Sequence, residues 1–85
     1  PDLGNDFGWV LRQLREGQWV TRFGWNGPGQ FLVLQVPDEH SKMTLPYIYI
    51  KTVQKDLVPW LASQTDVLAT DWCLVARTVP ASKAE

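Results

Sequence analysis

Side chains suited to binding a nucleotide are concentrated in two short segments of the 85-residue chain. Residues 22–27 read Arg-Phe-Gly-Trp-Asn-Gly, and residues 58–72 contain two tryptophans, two aspartates and a Ser-Gln-Thr cluster. A tryptophan ring stacks on a base, amides and carboxylates pair with hydroxyl and amino groups, and arginine or backbone N–H groups bind phosphate oxygens. The two segments therefore contain the main groups that a nucleotide ligand requires.

The two segments supply eight candidate ligand-binding residues. Trp25 and Trp60 are the candidate stacking platforms. The six polar candidates are Arg22, Asn26, Ser63, Gln64, Thr65 and Asp66. Among these, Arg22 and the helix start at residues 63–65 suit phosphate groups, whereas Asn26 and the side chains of Gln64 and Asp66 suit hydroxyl and amino groups. The charge of Asp66 opposes the binding of an anion in the same turn.

Both segments also have purely structural interpretations. Ser63 followed three residues later by Asp66 matches a capping box, which predicts a short helix over residues 64–69 without any ligand. The Asn-Gly pair at residues 26–27 is typical of a tight hairpin turn, over which the Trp25 ring can fold.

Asp71 and Trp72 are interpreted as architectural residues. Asp71 either caps the end of the second helical region or pairs with Arg22, and Trp72 opens the last strand with its ring in the core. We therefore expect the main role of these two residues to be support of the fold and not ligand contact.

An N-terminal helix is predicted before the first segment. Asn5 or Asp6 can cap a helix that runs to about Glu16, and Gly17 can end it. Its buried stripe consists of Phe7, Val10, Leu11 and Leu14. Trp9 lies off this stripe, about 200° from Phe7 at 100° per residue, so it is either partly buried under a loop or part of a subunit contact.

The remaining elements are predicted to be strands. Alternating or apolar runs indicate strands over residues 19–23, 31–36, 46–53 and 73–79, and the second of these is apolar enough for a central position. In the third, alternation predicts one face with Tyr47, Tyr49 and Lys51 and another with Ile48 and Ile50. The predicted fold is an α+β domain with an N-terminal helix, a mostly antiparallel sheet of about four strands and a short second helix before the last strand. It spans residues 5–79, with flexible termini at residues 1–4 and 80–85.

Composition excludes several classes of function. The net charge of −1 argues against a protein that tracks nucleic acid polymers. No apolar run is long enough to cross a membrane. The single Cys73 and the absence of a leader predict a reducing cytoplasm. His40 is the one histidine, and neither a catalytic set nor a metal-binding set accompanies it, so we expect a protein without enzymatic activity, metal or cofactor.

The two segments together resemble a family of small phage and prophage proteins that includes the second type of Thoeris anti-defence protein. The family pattern begins Phe-Gly in a short helix and continues with Arg-x-Gly-Trp-Asn-Gly and Pro-Trp-x-x-Ser-Gln-x-Asp-x-x-Ala-x-Asp-Trp. In this chain the pattern covers residues 7–75 in the same order. A polar residue is usual in the family at Trp9, so that position departs from the pattern.

The resemblance implies a non-enzymatic sponge for a cyclic nucleotide immune signal. Such a protein binds glycocyclic ADP-ribose, keeps it from its effector and so blocks Thoeris in the cytoplasm of the infected bacterial host. Because related sponges accept different cyclic nucleotides, CBASS signals are further candidate ligands. The resemblance also implies a homotetramer with its sites at subunit junctions, which would join residues such as Trp25 and Gln64 across chains.

Two other classes of function remain open at this level. A phage protein-interaction or structural module would use the same aromatic residues as interface hot spots, and this alternative best accounts for Trp9. A hydrolase that degrades the signal would need a metal cluster or a poised base, which the scarcity of His and Cys disfavours.

Overall fold

The chain folds as one antiparallel sheet with two helices, in a computed structural model that describes residues 4–25 and 29–75. In chain order the elements are α1 (Phe7–Arg15), β1 (Val20–Arg22), β2 (Phe31–Gln35), β3 (Tyr47–Lys51), β4 (Leu57–Pro59), α2 (Gln64–Leu68) and β5 (Trp72–Leu74). The strands form one five-stranded sheet in the order β4-β3-β2-β1-β5. The predicted α+β class is confirmed.

Helix α1 begins and ends as its sequence predicts. Asp6 is the N-cap, and its carboxylate accepts a 3.0 Å hydrogen bond from the Trp9 N–H. Glu16 is the C-cap, and Gly17 follows with φ of +84°, a conformation that favours glycine. Val10 on the predicted stripe is fully buried against the sheet.

Strand β2 is central and has apolar side chains on both faces, as predicted. Leu32 is buried on the face that packs against α1. Its neighbours Phe31 and Val33 point to the opposite face because side chains alternate along a strand. Strand β3 pairs with β2 so that Tyr49 lies opposite Val33 and Ile50 lies opposite Leu32. The predicted division of β3 into a tyrosine face and an isoleucine face is therefore confirmed.

The sheet has one strand more than the sequence predicted. Leu57–Pro59 was not among the predicted strands, but it pairs with β3 as edge strand β4. Pro59 has no N–H to donate, and an edge strand is where a sheet tolerates proline. At the other edge, β5 begins at Trp72, one residue before the predicted start, and residues 76–79 of that prediction lie outside the described residues.

The core lies between α1 and one face of the sheet. It consists of Val10, Leu14, Val20, Leu32 and Trp72. Trp72 is fully buried and its ring is in edge contact with Phe7, Trp25 and Trp60, at centroid distances of 5.6, 5.4 and 6.2 Å. Its predicted core position is confirmed. Trp9 is half-buried and packs against this core, which agrees with the predicted partial burial, whereas a subunit contact at Trp9 stays a prediction.

The opposite face of the sheet, here called the open face, is not covered by either described helix, since α1 packs on the Leu32 side and α2 packs on α1. On it the rings of Trp19 and Phe31 stack at 4.5 Å with a 2° interplanar angle, and the Lys51 ammonium lies 5.7 Å from the Phe31 centroid. The register of the strands also places Val33, Tyr49, Leu57 and Pro59 on this face. Within residues 4–25 and 29–75, neither helix has the length and apolar character that crossing a membrane requires.

Candidate ligand site

The two motif segments meet at Arg22, the last residue of β1. Its Nη1 donates to Asp66 Oδ1 at 2.8 Å, and its Nε donates to Asp71 Oδ1 at 2.8 Å. A longer contact of 3.5 Å joins Nη2 to Asp71 Oδ2. The Arg22 side chain is 16% exposed, so these ion pairs are largely shielded from water. Of the two interpretations of Asp71, pairing with Arg22 is the one found.

The same two carboxylates hold the turn that follows β1. Asp66 Oδ1 accepts a 3.1 Å hydrogen bond from Trp25 Nε1, and Asp71 Oδ2 accepts a 2.8 Å bond from the Gly24 N–H. A Cβ at Gly24 would lie 2.8 Å from Asp71 Oδ2, so any larger residue here would displace the carboxylate from this position. The Trp25 ring meets Trp72 edge-on at 76°. The ring is thereby fixed by the hydrogen bond of its N–H and by its contact with Trp72.

Helix α2 starts with the predicted cap. Ser63 is the N-cap, and its hydroxyl accepts a 3.1 Å hydrogen bond from the Asp66 N–H. The Asp66 carbonyl accepts from Trp72 Nε1 at 3.0 Å. Asp66 therefore joins the helix start, the core tryptophan and the turn after β1.

The predicted site residues differ in how closely the structure groups them. Asp66 is in direct contact with both Arg22 and Trp25. Ser63, Gln64 and Thr65 are exposed at the start of α2 beside Asp66. Trp60 is half-buried and its ring lies 6.0 Å from Phe7, on the core side. Asn26 lies outside the described residues.

Asp71 was missing from the predicted ligand residues although it is central to this arrangement. Its signal in the sequence was the Asp-Trp pair that closes the second motif, which was interpreted as architectural. The structure shows that it contacts both Arg22 and Gly24 of the first motif.

The charges in the cluster stabilise one another. Partial burial acts to raise the pKa of Asp66, but hydrogen bonds from Arg22 and Trp25 outweigh it and its pKa lies below the ordinary value. The Arg22 hydrogen bond lowers the pKa of Asp71, and the Gly24 N–H adds to this effect. Asp71 in turn raises the pKa of Arg22. All three groups are therefore charged at neutral pH.

Comparison with known proteins gives matches that span both motifs. The sequence model of one protein family, the Thoeris anti-defense 2-like domain, matches residues 5–75. The chain belongs to this family. It is also 36% identical over 83 residues to Thoeris anti-defense 2 of Bacillus phage SP01, in an alignment that covers 82% of this chain and 93% of the phage protein. The resemblance found in the two motifs is thus confirmed, and both motifs of this Thoeris anti-defense 2-like domain lie within the matched residues.

The lowered aspartate pKa values predict that this domain loses stability in acid. A group whose folded pKa is below its unfolded value of 3.8 stabilises the fold above that pH, and this contribution disappears as the pH falls through the folded pKa. We expect Asp66→Asn to lower the free energy of unfolding by about 1–3 kcal/mol at neutral pH and by progressively less below about pH 4. Urea unfolding at several pH values measures this, with exposed Asp56→Asn as control. If the difference in unfolding free energy between the wild-type protein and Asp66→Asn is the same at all pH values, the expectation is contradicted.

The remaining titratable groups form no second cluster of this kind in the part of the chain that the structure describes. His40 and Glu39 are more than four-fifths exposed, with 3.4 Å between His40 Nε2 and Glu39 Oε2. No group of three or more His, Cys, Asp or Glu side chains suited to a metal ion occurs among the described residues. The Arg22 cluster is therefore the feature on which a functional proposal can rest.

Proposed function

We propose that this protein binds a cyclic nucleotide immune signal, such as glycocyclic ADP-ribose, and sequesters it without degrading it. Membership of the Thoeris anti-defense 2-like family and the phage relative support an anti-Thoeris role. By holding the signal, the protein keeps it from the Thoeris effector in the cytoplasm of the infected host. Signals of CBASS systems are further candidates because they share bases, riboses and phosphates with this ligand.

The observation that carries the proposal is the way in which Trp25 is held. Its N–H is bonded to Asp66 and its ring packs against Trp72 at an angle of 76°, while the residue remains only half-buried at the motif turn. A ring in a fixed orientation loses little conformational freedom when a base stacks on it, and such stacking contributes about 1–3 kcal/mol per base. Trp25 is therefore the proposed primary platform.

The other predicted residues complete the proposed site around this platform. Ser63, Gln64 and Thr65 present hydroxyl and amide groups to ribose and exocyclic amino groups from the exposed start of α2. Asn26 is proposed for the same type of contact, and Trp60 for a second aromatic surface. Asp66 belongs to the site through its hydrogen bond with Trp25, and Arg22 belongs to it through its ion pair with Asp66.

A calorimetric titration tests binding. We expect the purified protein to release or absorb heat with glycocyclic ADP-ribose or with one of the cyclic di- and trinucleotides, and to saturate. Linear ADP-ribose is the matched control, because it carries the same base and phosphates without the closed ring. Absence of saturable binding to every cyclic signal would contradict the proposal.

We further propose that the protein assembles as a homotetramer in which the open face forms one of the interfaces between copies. A sheet with apolar side chains on both faces needs both faces to be covered. The open face bears aromatic and aliphatic residues, and the Lys51 ammonium on it lies over the Phe31 ring. A domain of this size also gains stability from oligomerisation. A second copy presents a face of the same apolar character, which makes it the proposed occupant.

A charge at the centre of the open face is expected to disrupt this assembly. Val33→Lys should reduce the mass measured by analytical ultracentrifugation from tetramer to a smaller species, because a desolvated lysine at a self-association interface is unfavourable. Gln54→Lys, on an exposed turn, is the matched control and should not change the mass. A tetramer that survives Val33→Lys would contradict the proposed surface, and a monomeric wild-type protein would contradict the assembly.

A protein partner is the second candidate, and exposed apolar side chains favour it. Phe23 is 72% exposed, Leu61 93% and Leu68 75%. Aromatic residues such as Phe23 are enriched at protein interfaces. Phe23→Ser should abolish anti-defence activity with nucleotide affinity unchanged if the protein acts through such a partner.

A further inference from the structure

We propose that Arg22 and Asp71 are positioning residues that hold Trp25 for stacking, and that Arg22 does not serve as the ligand's phosphate contact. Together with Asp66 they are here called the Arg22 clamp. The consequence for ligand affinity rests on the proposed function. The effect on Trp25 in the ligand-free protein does not depend on any ligand.

The charge of the clamp is the first argument. One guanidinium faces two carboxylates, so the three side chains together carry a net charge of −1. A pyrophosphate approaching Arg22 would meet a site of its own sign, since the pKa values keep both aspartates ionised at neutral pH. The nitrogen atoms Nε and Nη1, which make the short contacts, already donate to carboxylate oxygens.

The geometry of the clamp is the second argument. The carboxylates that bind Arg22 are the same groups that bind the turn, because Asp66 Oδ1 accepts from Trp25 Nε1 and Asp71 Oδ2 accepts from the Gly24 N–H. Arg22 thus ties two carboxylates from residues 66–71 to the turn that carries the platform. Each bond involves an ionised group, and such bonds are short and directional. The clamp therefore fixes both the path of the turn and the orientation of the ring.

Asp71 is the member whose substitution separates positioning from ligand contact. Its carboxylate accepts from Arg22 Nε and from the Gly24 N–H through different oxygens. In Asp71→Asn one oxygen becomes an amide nitrogen that cannot accept, so one of the two bonds is lost at nearly constant volume. Arg22→Lys is the companion variant, because it keeps the charge but lacks the planar fork that bridges two carboxylates.

The first readout uses the ligand-free protein. Trp25 and Trp72 are in edge contact, so we expect their coupled electronic transitions to contribute to an exciton band in circular dichroism. Trp25→Phe should remove this contribution and leave the contribution of the Trp60–Trp72 contact. We expect Asp71→Asn and Arg22→Lys to lose most of the part of this band that depends on Trp25, while the sheet signal and cooperative unfolding persist. Asp56→Asn is the matched control and should leave the band intact. Retention of the full band in both clamp variants would overturn the proposal.

The second readout is a double-mutant cycle for ligand affinity. Asp71→Asn should weaken binding of glycocyclic ADP-ribose about tenfold in the wild-type background and hardly at all in a Trp25→Ala background, because its effect passes through that ring. Equal losses in both backgrounds would overturn the positioning role, as would an Arg22→Lys protein of wild-type affinity. If the wild-type protein binds no signal while both variants still lose the exciton band, the proposed function fails and the clamp stands.

Discussion

Trp72→Ala is expected to lower the free energy of unfolding by about 3–5 kcal/mol, the largest effect of any single substitution considered for this chain. The side chain is fully buried and touches rings from α1, from the turn after β1 and from the segment before α2. Its removal would leave a cavity at the point where these elements meet. The free energy of unfolding of a small domain is about 5–15 kcal/mol, so this loss is a large fraction of the total stability.

Urea unfolding followed by circular dichroism measures this effect, and Trp72→Phe is the matched control. Phenylalanine keeps an aromatic ring in the core but cannot donate to the Asp66 carbonyl, so a smaller loss of about 1–3 kcal/mol is expected. An alanine variant that loses less than about 1 kcal/mol would show that the three aromatic contacts do not organise the core.

Trp25→Ala is expected to weaken ligand binding by about 1–3 kcal/mol, or roughly 5-fold to 150-fold, while the protein stays folded. Unlike Trp72, Trp25 is half-buried at a turn, so its removal deletes a platform with less damage to the core. Calorimetric titration with the best-bound cyclic nucleotide measures the change. The Asp66 carboxylate also loses one donor in this variant but keeps its ion pair with Arg22.

Trp9→Ala is the matched tryptophan control for this prediction. Trp9 lies on α1 and packs against the core, away from the hydrogen bonds of the motif turn. We expect it to leave nucleotide affinity unchanged. A folded Trp25→Ala protein of wild-type affinity would contradict the proposed site, and loss of a protein partner in Trp9→Ala alone would favour the interaction module.

The sequence was most informative where local signals decide the structure. The cap at Asp6, the glycine after α1 and the Ser63 cap of α2 depend on neighbouring residues, and all three are found where predicted. The alternation in β3 also predicted its faces, since a half-buried strand requires a period of two. Strand β4 was missed because only three residues pair and one is proline, which local propensity disfavours in a strand.

The candidate site depended on contacts that local patterns cannot determine. Arg22 lies 44 positions from Asp66 and 49 from Asp71, so no short motif reveals that one guanidinium binds both. The residues themselves were found because each motif is unusually rich in polar and aromatic groups. Their division into platform and positioning residues required the distances, and Asn26 remains a prediction because it lies outside the described residues.

The central claim is sequestration, and a depletion and release assay tests it most directly. The purified protein is mixed with glycocyclic ADP-ribose and, separately, with cyclic di- and trinucleotides, and each mixture is filtered before the retained protein is heat-denatured. Chromatography then compares the free and the released fractions. We predict depletion of a signal from the filtrate followed by its intact release. An altered product would contradict sequestration in favour of an enzyme, and no depletion of any signal would indicate a protein partner.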